Sequence, residues 1–435
     1  METGPALALC SRGGGAHVTT LTRGMLEVDL EERVFGGTPA ASLAPRRLGA
    51  EVELIPVEAG TGRRCGIDSE GTLSTLPFLR RYGNKQGWLE SLTQKGTPCF
   101  TLSSGGTLTF EPGGQLEYSS PPFRSASALL AVLHGVIPPL RAAAAGEGID
   151  LLAMGLDPYN SEDGAPMLIQ ARRYERMAEY LARRGPAGAR MMRQTAAFQI
   201  SVDFDDEPWL RWRVLNAAAP FFVAIFANSP IYDGERTGHQ SSRADLWRKL
   251  DPARTGLPYH EDAPIQAYLE FALDAPAILL PTIEGEHKPF GEWLLGATPT
   301  SEEWQDHLST LFPEVRPRGH LELRSIDAIA PDWYAAPLAL AAGILYDSRA
   351  LRAAADLLPQ PDLALLERAG RLGVHDADIA STSADLFELA LVGCAGLGPA
   401  YFHPSDVEEA RAYFDRYTRR ARAPADDLLR NAIAA

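Results

Sequence analysis

Thr107-Leu-Thr-Phe-Glu-Pro-Gly-Gly-Gln-Leu-Glu-Tyr118 reads as two short strands folded back on each other. Successive side chains of a strand point to opposite faces, so residues two apart share a face. Thr107, Thr109 and Glu111 share one face of the first arm, with Leu108 and Phe110 on the other. In the second arm Gln115 and Glu117 oppose Leu116 and Tyr118. Pro112-Gly113-Gly114 supplies the turn. The strand-like runs lie in hairpins of this kind or far apart among helical stretches. That order favours an α+β fold over a doubly wound parallel sheet.

Three more stretches alternate in the same way. Leu48 to Val57 places Glu51 and Glu53 on one face and Val52 and Leu54 on the other. Thr195 to Phe204 places Thr195, Ala197, Gln199, Ser201 and Asp203 opposite Phe198, Ile200, Val202 and Phe204. His320 to Ser325 sets Glu322 beside Arg324. Read alone, each fits a solvated strand face as well as a site. Read as neighbours in one sheet, they make a basin of negative charge that needs cations. Glu51 and Glu53 would lie roughly 6–7 Å apart. Hard cations such as Mg²⁺ take oxygen ligands from such clusters, and a guanidinium fork like that of Arg324 suits phosphate. The stretch 228–256 concentrates Arg236, Arg243, Arg248 and Arg254 among Gly and Ser residues. It reads either as a solvated loop or as a holder for an anionic substrate.

The whole chain sets outer bounds. Its 435 residues suffice for one large domain or two ordinary ones, and a net charge of −15 argues against nucleic acid or an anionic membrane as partner. The most apolar run, 217–227, is about half the roughly 20 residues a membrane span needs. The absence of a basic, apolar leader predicts a cytoplasmic protein. Cys10, Cys65, Cys99 and Cys394 form no CxxC or zinc spacing, so reduced thiols are expected, with redox activity at Cys65 or Cys99 as the alternative. Residues 1–20 are Gly-rich and aperiodic, which predicts a disordered lead. Residues 21–435 are expected to form a single catalytic domain with Ala/Leu/Arg-rich helices from about 346 onward. Helices are expected over Ser125–Ala145 (interrupted at Pro138-Pro139), Met167–Arg184, Trp209–Ala227, Arg243–Leu250 and Pro337–Leu345. Leu151–Leu156 and Ala277–Pro281 read as strands, and Ile265–Leu273 as a helical turn or strand.

Taken in order, several segments resemble one family, the glutamate–cysteine ligases. They are Thr109 to Glu117, Met192-Arg-Gln-Thr-Ala-Ala-Phe-Gln-Ile-Ser-Val-Asp203, Ala227-Asn-Ser-Pro230, Ser242-Arg-Ala-Asp-Leu-Trp247, Asp251-Pro-Ala-Arg-Thr-Gly256 and His320-Leu-Glu-Leu-Arg324. Arg173-Tyr174 with Met177 fits as well. The resemblance covers roughly 46–350, and its specificity lies in the ordered set. It is similar to the branch holding plant-type and actinobacterial ergothioneine-pathway enzymes, with His307 to Arg318 closer to the latter. The resemblance implies a curved, mainly antiparallel sheet forming a funnel-shaped site, of the glutamine synthetase/guanido kinase kind. It implies ATP- and Mg²⁺-dependent joining of the glutamate γ-carboxylate to the amine of L-cysteine through a γ-glutamyl phosphate, in thiol biosynthesis toward ergothioneine or glutathione. By the same resemblance Glu51, Glu53, Glu111, Glu117, Gln199 and Glu322 are metal positions. Arg324 contacts phosphate. Arg243 takes the substrate α-carboxylate, with Thr195 and Trp247 nearby.

Two stretches depart from the family pattern. Tyr118-Ser119-Ser120 stands where many relatives read Leu-Ser-Gly, and Ala196-Ala197-Phe198 replaces other residues of plant relatives. The expected consequence is a different pocket for the amine. The alternatives are a ligase joining glutamate to another amine, an inactive metal- or nucleotide-binding homologue, and a glycosidase with paired carboxylates. The last leaves Glu322 beside Arg324 unexplained.

Overall fold

A computed structural model describes residues 21–36, 46–70, 72–93, 96–282, 285–296 and 299–434, with side chains through Arg430. The expected disordered lead, 1–20, and Cys10 lie outside the described residues. The strands are β1 (Leu48–Glu58), β2 (Leu89–Leu92), β3 (Pro98–Thr101), β4 (Thr107–Phe110), β5 (Leu116–Ser119), β6 (Ile149–Leu152), β7 (Phe198–Val202), β8 (Ile231–Tyr232), β9 (Glu235–Arg236), β10 (Val315–Pro317) and β11 (Leu321–Leu323). Nine of them form one sheet in the order β10-β11-β7-β1-β5-β4-β3-β2, with β6 paired to the far half of β1. Every pairing is antiparallel. Helices surround it, so the fold is α+β, as the hairpin reading requires.

β1 is the axis of the sheet because its alternation is strict where it matters. Leu48, Ala50, Val52 and Leu54 are buried on one face, and Glu51 and Glu53 face the other way. Phe198 lies on the apolar face, its ring centroid 5.0 Å from that of Tyr334, which leads into the fully buried helix Ala335–Tyr346. One continuous buried cluster extends from Leu21 to Ala425.

Several expectations need correction. Pro138 and Pro139 do not interrupt their helix, which runs unbroken over Ala126–Ala145. An internal proline costs about 3 kcal/mol, but the helix buries Leu129, Leu130, Leu133, Val136, Ile137 and Leu140, each giving about 1.5–3 kcal/mol. Burial wins. The helix expected from Met167 starts only at Arg172, because the amides of Leu168 and Ile169 donate to the Pro112 carbonyl instead. The ambiguous stretch at Ile265 is a helix, Pro264–Asp274. Ala277–Pro281 forms no strand, and the strand expected at Leu151–Leu156 is β6, shifted toward its start. Two helices, Ala126–Ala145 and Ala377–Leu397, are long and apolar enough by length and composition to cross a membrane. Each packs part of its surface in the core, as at Leu133 and Phe387.

Candidate active site

Strand register turns the four polar stretches into one surface. On β1, Glu53 stands directly opposite Glu117 of β5. Glu51 stands opposite Ser119 on one side and Gln199 of β7 on the other. One strand further, Glu322 of β11 pairs with Ser201 of β7 and with Arg316 of β10. This face floors a cavity of about 850 Å³ lined by Glu51, Glu53, Glu111, Glu117, Gln199, Thr195, Arg243, Trp247 and Arg324. Every expected site residue except Glu322 therefore reaches it. Glu322 is only 1% exposed and sits behind the wall.

The acids of the floor hold each other's charge in check. Burial pushes the Glu51 carboxyl up to about 8, with Glu117 and Glu322 adding to the rise. Burial likewise pushes Glu117 up to about 8, with Glu111 and Glu53 adding. Burial also raises Glu53, against the pull of Arg243 and a 2.7 Å hydrogen bond from the Ala197 amide. Gln199 Nε2 donates to Glu53 at 3.1 Å. Among the described residues no donor reaches the Glu51 carboxyl, and no group of three His, Cys, Asp or Glu forms a ready-made metal cage.

Glu322 behaves in the opposite way. Arg316 grips it through two bonds, Nε at 2.7 Å and Nη2 at 3.1 Å, while Arg318 and Arg324 reach it at 3.1 and 3.0 Å. Burial alone would raise this carboxyl, but Arg316 and Arg324 overcome it and hold it well below the usual range. Arg324 also donates to Gln199 Oε1 at 2.7 Å. The cavity thus has an acidic floor and a cationic wall, to which Arg33, Arg173, Arg316 and Arg318 also contribute. The sequence reading missed Arg316. Its only signal is alternation in the three-residue strand Val315-Arg316-Pro317.

Most of the arginine-rich stretch is packed rather than solvated, although β9, which carries Arg236, is exposed. Arg243, at the start of the helix Ser242–Leu250, is 4% exposed, and Arg254 is fully buried. Arg254 holds the Thr310 carbonyl and hydroxyl and the Pro276 carbonyl, a structural task. Arg248 bonds Glu314, and Arg236 caps the Leu429 carbonyl. Only Arg243 faces the cavity, with its guanidinium over the Trp247 ring at 4.9 Å and bonded to the Arg324 carbonyl at 2.7 Å. The Thr195 hydroxyl donates to the Met191 carbonyl, and Trp247 Nε1 to that of Phe312. Of the two departures, Ser119 donates to the Glu117 carboxylate at 2.9 Å and Ser120 lines a smaller cavity beside Glu51. Tyr118, Ala196, Ala197 and Phe198 are all buried. The cavity's apolar lining comes instead from Met177, Met191, Met192, Leu308 and Phe312.

Residues 47–428 match Glutamate-cysteine ligase family 2 (GCS2). The chain belongs to this family. The family's actinobacterial relative from Mycolicibacterium smegmatis, glutamate–cysteine ligase EgtA, is 33% identical over 351 residues, covering 77% of this chain and 79% of that protein. The chloroplastic glutamate–cysteine ligase of Medicago truncatula is 33% identical over 328 residues, covering 72% of this chain, which spans 63% of that protein's length. A crystal structure of the Francisella tularensis glutamate–cysteine ligase in complex with AMP superposes with a TM-score of 0.51 over 88% of this chain and 84% of that one. At 14% identity that likeness speaks for the fold alone. The chain is thus a ligase of the glutamate–cysteine ligase family.

Proposed function

We propose that residues 21–435 work as one catalytic domain that joins the γ-carboxylate of glutamate to the amine of L-cysteine, with ATP and Mg²⁺. The observation that carries this reading is one cavity whose floor holds Glu51, Glu53, Glu111 and Glu117 and whose wall holds Arg316, Arg318 and Arg324. Wherever those carboxyls ionise, a triphosphate and a carboxylate approach the floor more favourably with cations between them. The four cavity glutamates offer the oxygen ligands a hard cation takes, and the raised carboxyls of Glu51 and Glu117 would gain from one. Gln199 and Glu322 already serve arginines, so they would join the set by exchanging those bonds. Bound Mg²⁺ would neutralise charge developing during phosphoryl transfer.

The chain's own residues bind and orient. Arg243 receives the α-carboxylate of glutamate, with Trp247 and Thr195 beside it. Arg324, joined by Arg316 and Arg318, holds phosphate oxygens. The glutamate γ-carboxylate attacks the γ-phosphoryl of ATP, giving γ-glutamyl phosphate and ADP. The amine of cysteine then attacks the acyl carbon and releases phosphate. Positioning and electrostatics suffice, so no protein nucleophile is required.

An ADP-release screen of amino-acid pairs, with mass spectrometry of the product, tests this. ADP release should require Mg²⁺ and glutamate and rise sharply with cysteine, giving γ-glutamylcysteine. Background ADP with every pair would reject a ligase, and a stronger response to another amine would reject cysteine alone.

A further inference from the structure

Asp327 is a buried carboxylate, 1% exposed, that does not line the cavity. It lies four residues past β11, where its backbone pairs antiparallel with Ala197 just before β7. Its Oδ2 accepts hydrogen bonds from the Asn228 amide at 2.8 Å and the Ser229 hydroxyl at 2.7 Å. Its Oδ1 accepts from the Ser241 hydroxyl at 3.0 Å and lies 3.9 Å from Nη1 of Arg243. Both serines are tied to the first turn of the helix Ser242–Leu250. Ser229 Oγ accepts from the Arg243 amide at 3.2 Å, and Ser241 Oγ from the Ala244 amide at 3.1 Å. One carboxylate therefore meets both the backbone turn that carries Arg243 and the guanidinium itself.

The surroundings leave room for this group. A Cβ on Gly155 would fall 2.3 Å from the Asp327 Cγ. At 3.9 Å the carboxylate biases the guanidinium by charge, while Nη2 of Arg243 is held by the Arg324 carbonyl at 2.7 Å. The negative charge also sits at the positive end of the helix, where it is favourable.

We infer that Asp327 is a positioning residue for substrate recognition: it aims the Arg243 guanidinium into the cavity at the glutamate α-carboxylate while touching no substrate. This rests on the role proposed above for Arg243. Steady-state kinetics of wild type, Asp327→Asn, Arg243→Ala and the double variant test it, varying glutamate and ATP separately. Asp327→Asn keeps the shape and removes the charge. It should raise the KM for glutamate by about 10–100-fold, the scale of a misaimed contact. The KM for ATP should stay within about 2-fold. In the Arg243→Ala background the same change should add less than about 2-fold, because residues acting through one group do not add. An unchanged glutamate KM, equal rises for glutamate and ATP, or full additivity would each overturn the inference. If Asp327→Asn does not fold, Ser229→Ala should raise the glutamate KM in the same direction, and no rise overturns the inference. A wild type that releases no ADP overturns the proposed function, and this inference with it. A wild type that turns over beside an unaffected Asp327→Asn overturns the positioning role alone.

Discussion

Glu53 of β1 and Glu117 of β5 are directly opposed residues, two carboxylates paired across antiparallel strands. Like charges in that arrangement are destabilising, and half-burial on the cavity floor limits their screening by water. The fold accommodates the pair by retaining protons. The Glu117 carboxyl rises to about 8 in the folded chain, against 4.5 for a free glutamate. Between those values the folded form binds protons that the unfolded chain has released. The associated stability is therefore complete below about pH 4.5 and is lost as pH rises through about 8.

That sign gives a melting experiment. In the metal-free protein, Tm should fall from about pH 6 to about pH 9, and fall less in Glu117→Gln, which has no proton to lose. Saturating Mg²⁺ should close the gap at the alkaline end, because a ligand that binds the folded form stabilises it by mass action. Wild type and variant running in parallel over this range would reject the raised carboxyl.

Glu322 carries the opposite linkage. Its folded value is depressed, so its stabilising contribution is present above about pH 4.5 and disappears as the medium becomes more acid. Glu322→Gln removes the shared counter-charge of Arg316, Arg318 and Arg324. Breaking a buried pair this way costs roughly 3–5 kcal/mol. The variant should lose both turnover and several degrees of Tm. Glu53→Gln should lose turnover by at least about 100-fold with a far smaller thermal effect. Equal Tm for wild type and Glu322→Gln in a calorimetric scan would show that the arginines do not depend on this carboxylate.

The contrast between these acids marks what the sequence could reveal. β1, the β4–β5 hairpin, β7 and β11 were legible because period-2 alternation is written in adjacent residues. β2 was not, since Leu89-Glu-Ser-Leu92 is exposed at all four positions and no buried face imposes a pattern. The acids were legible as a set, but their division of labour was not. Glu322 differs from Glu51 through Arg316, which only the β10–β11 register brings opposite it. Arg254 was open to reading as a ligand arginine because its stretch concentrates arginines among Gly and Ser residues. Its partners Pro276 and Thr310 lie 22 and 56 residues away. The burial of Ala196-Ala197-Phe198 was not legible, because substitution is visible in sequence and burial is not.

Arg243 offers a cleaner separation of substrates. Its guanidinium reaches the cavity while its backbone is fixed by Ser229. Charge-assisted hydrogen bonds contribute about 1.5–3 kcal/mol each, and 1.4 kcal/mol is tenfold in affinity. Arg243→Ala should therefore raise the glutamate KM by about 10–100-fold and leave that of ATP nearly unchanged. A matched rise for both substrates in initial-rate measurements would place this arginine on the phosphates instead.

The hairpin turn sets the spacing between Glu111 and Glu117, and Gly113 is its tightest point. A Cβ there would lie 2.2 Å from the Arg193 carbonyl oxygen, a contact with backbone that cannot rotate away. The turn is also pinned from other sides. Arg64 Nη2 donates to the Gly113 carbonyl at 2.6 Å, and the Gly113 amide donates to Gln115 Oε1 at 3.0 Å. Gln115 Nε2 in turn holds the Thr195 carbonyl at 2.9 Å. Gly113→Ala must therefore push the turn off the segment that leads into β7, displacing both glutamates from the floor. The expected result is a fall in kcat of about 100-fold and a stability loss of about 1–3 kcal/mol from overpacking. Gly234→Ala, in the β8–β9 turn, serves as the control. Its φ of +76° strains any side chain, but nothing lies within 4 Å of the added Cβ. It should lose about 1–2 kcal/mol of stability and keep its turnover. Parallel kinetics and calorimetry on the two variants separate a misplaced floor from simple backbone strain. Wild-type kcat in Gly113→Ala would mean that the acid spacing set by this turn does not govern the chemistry.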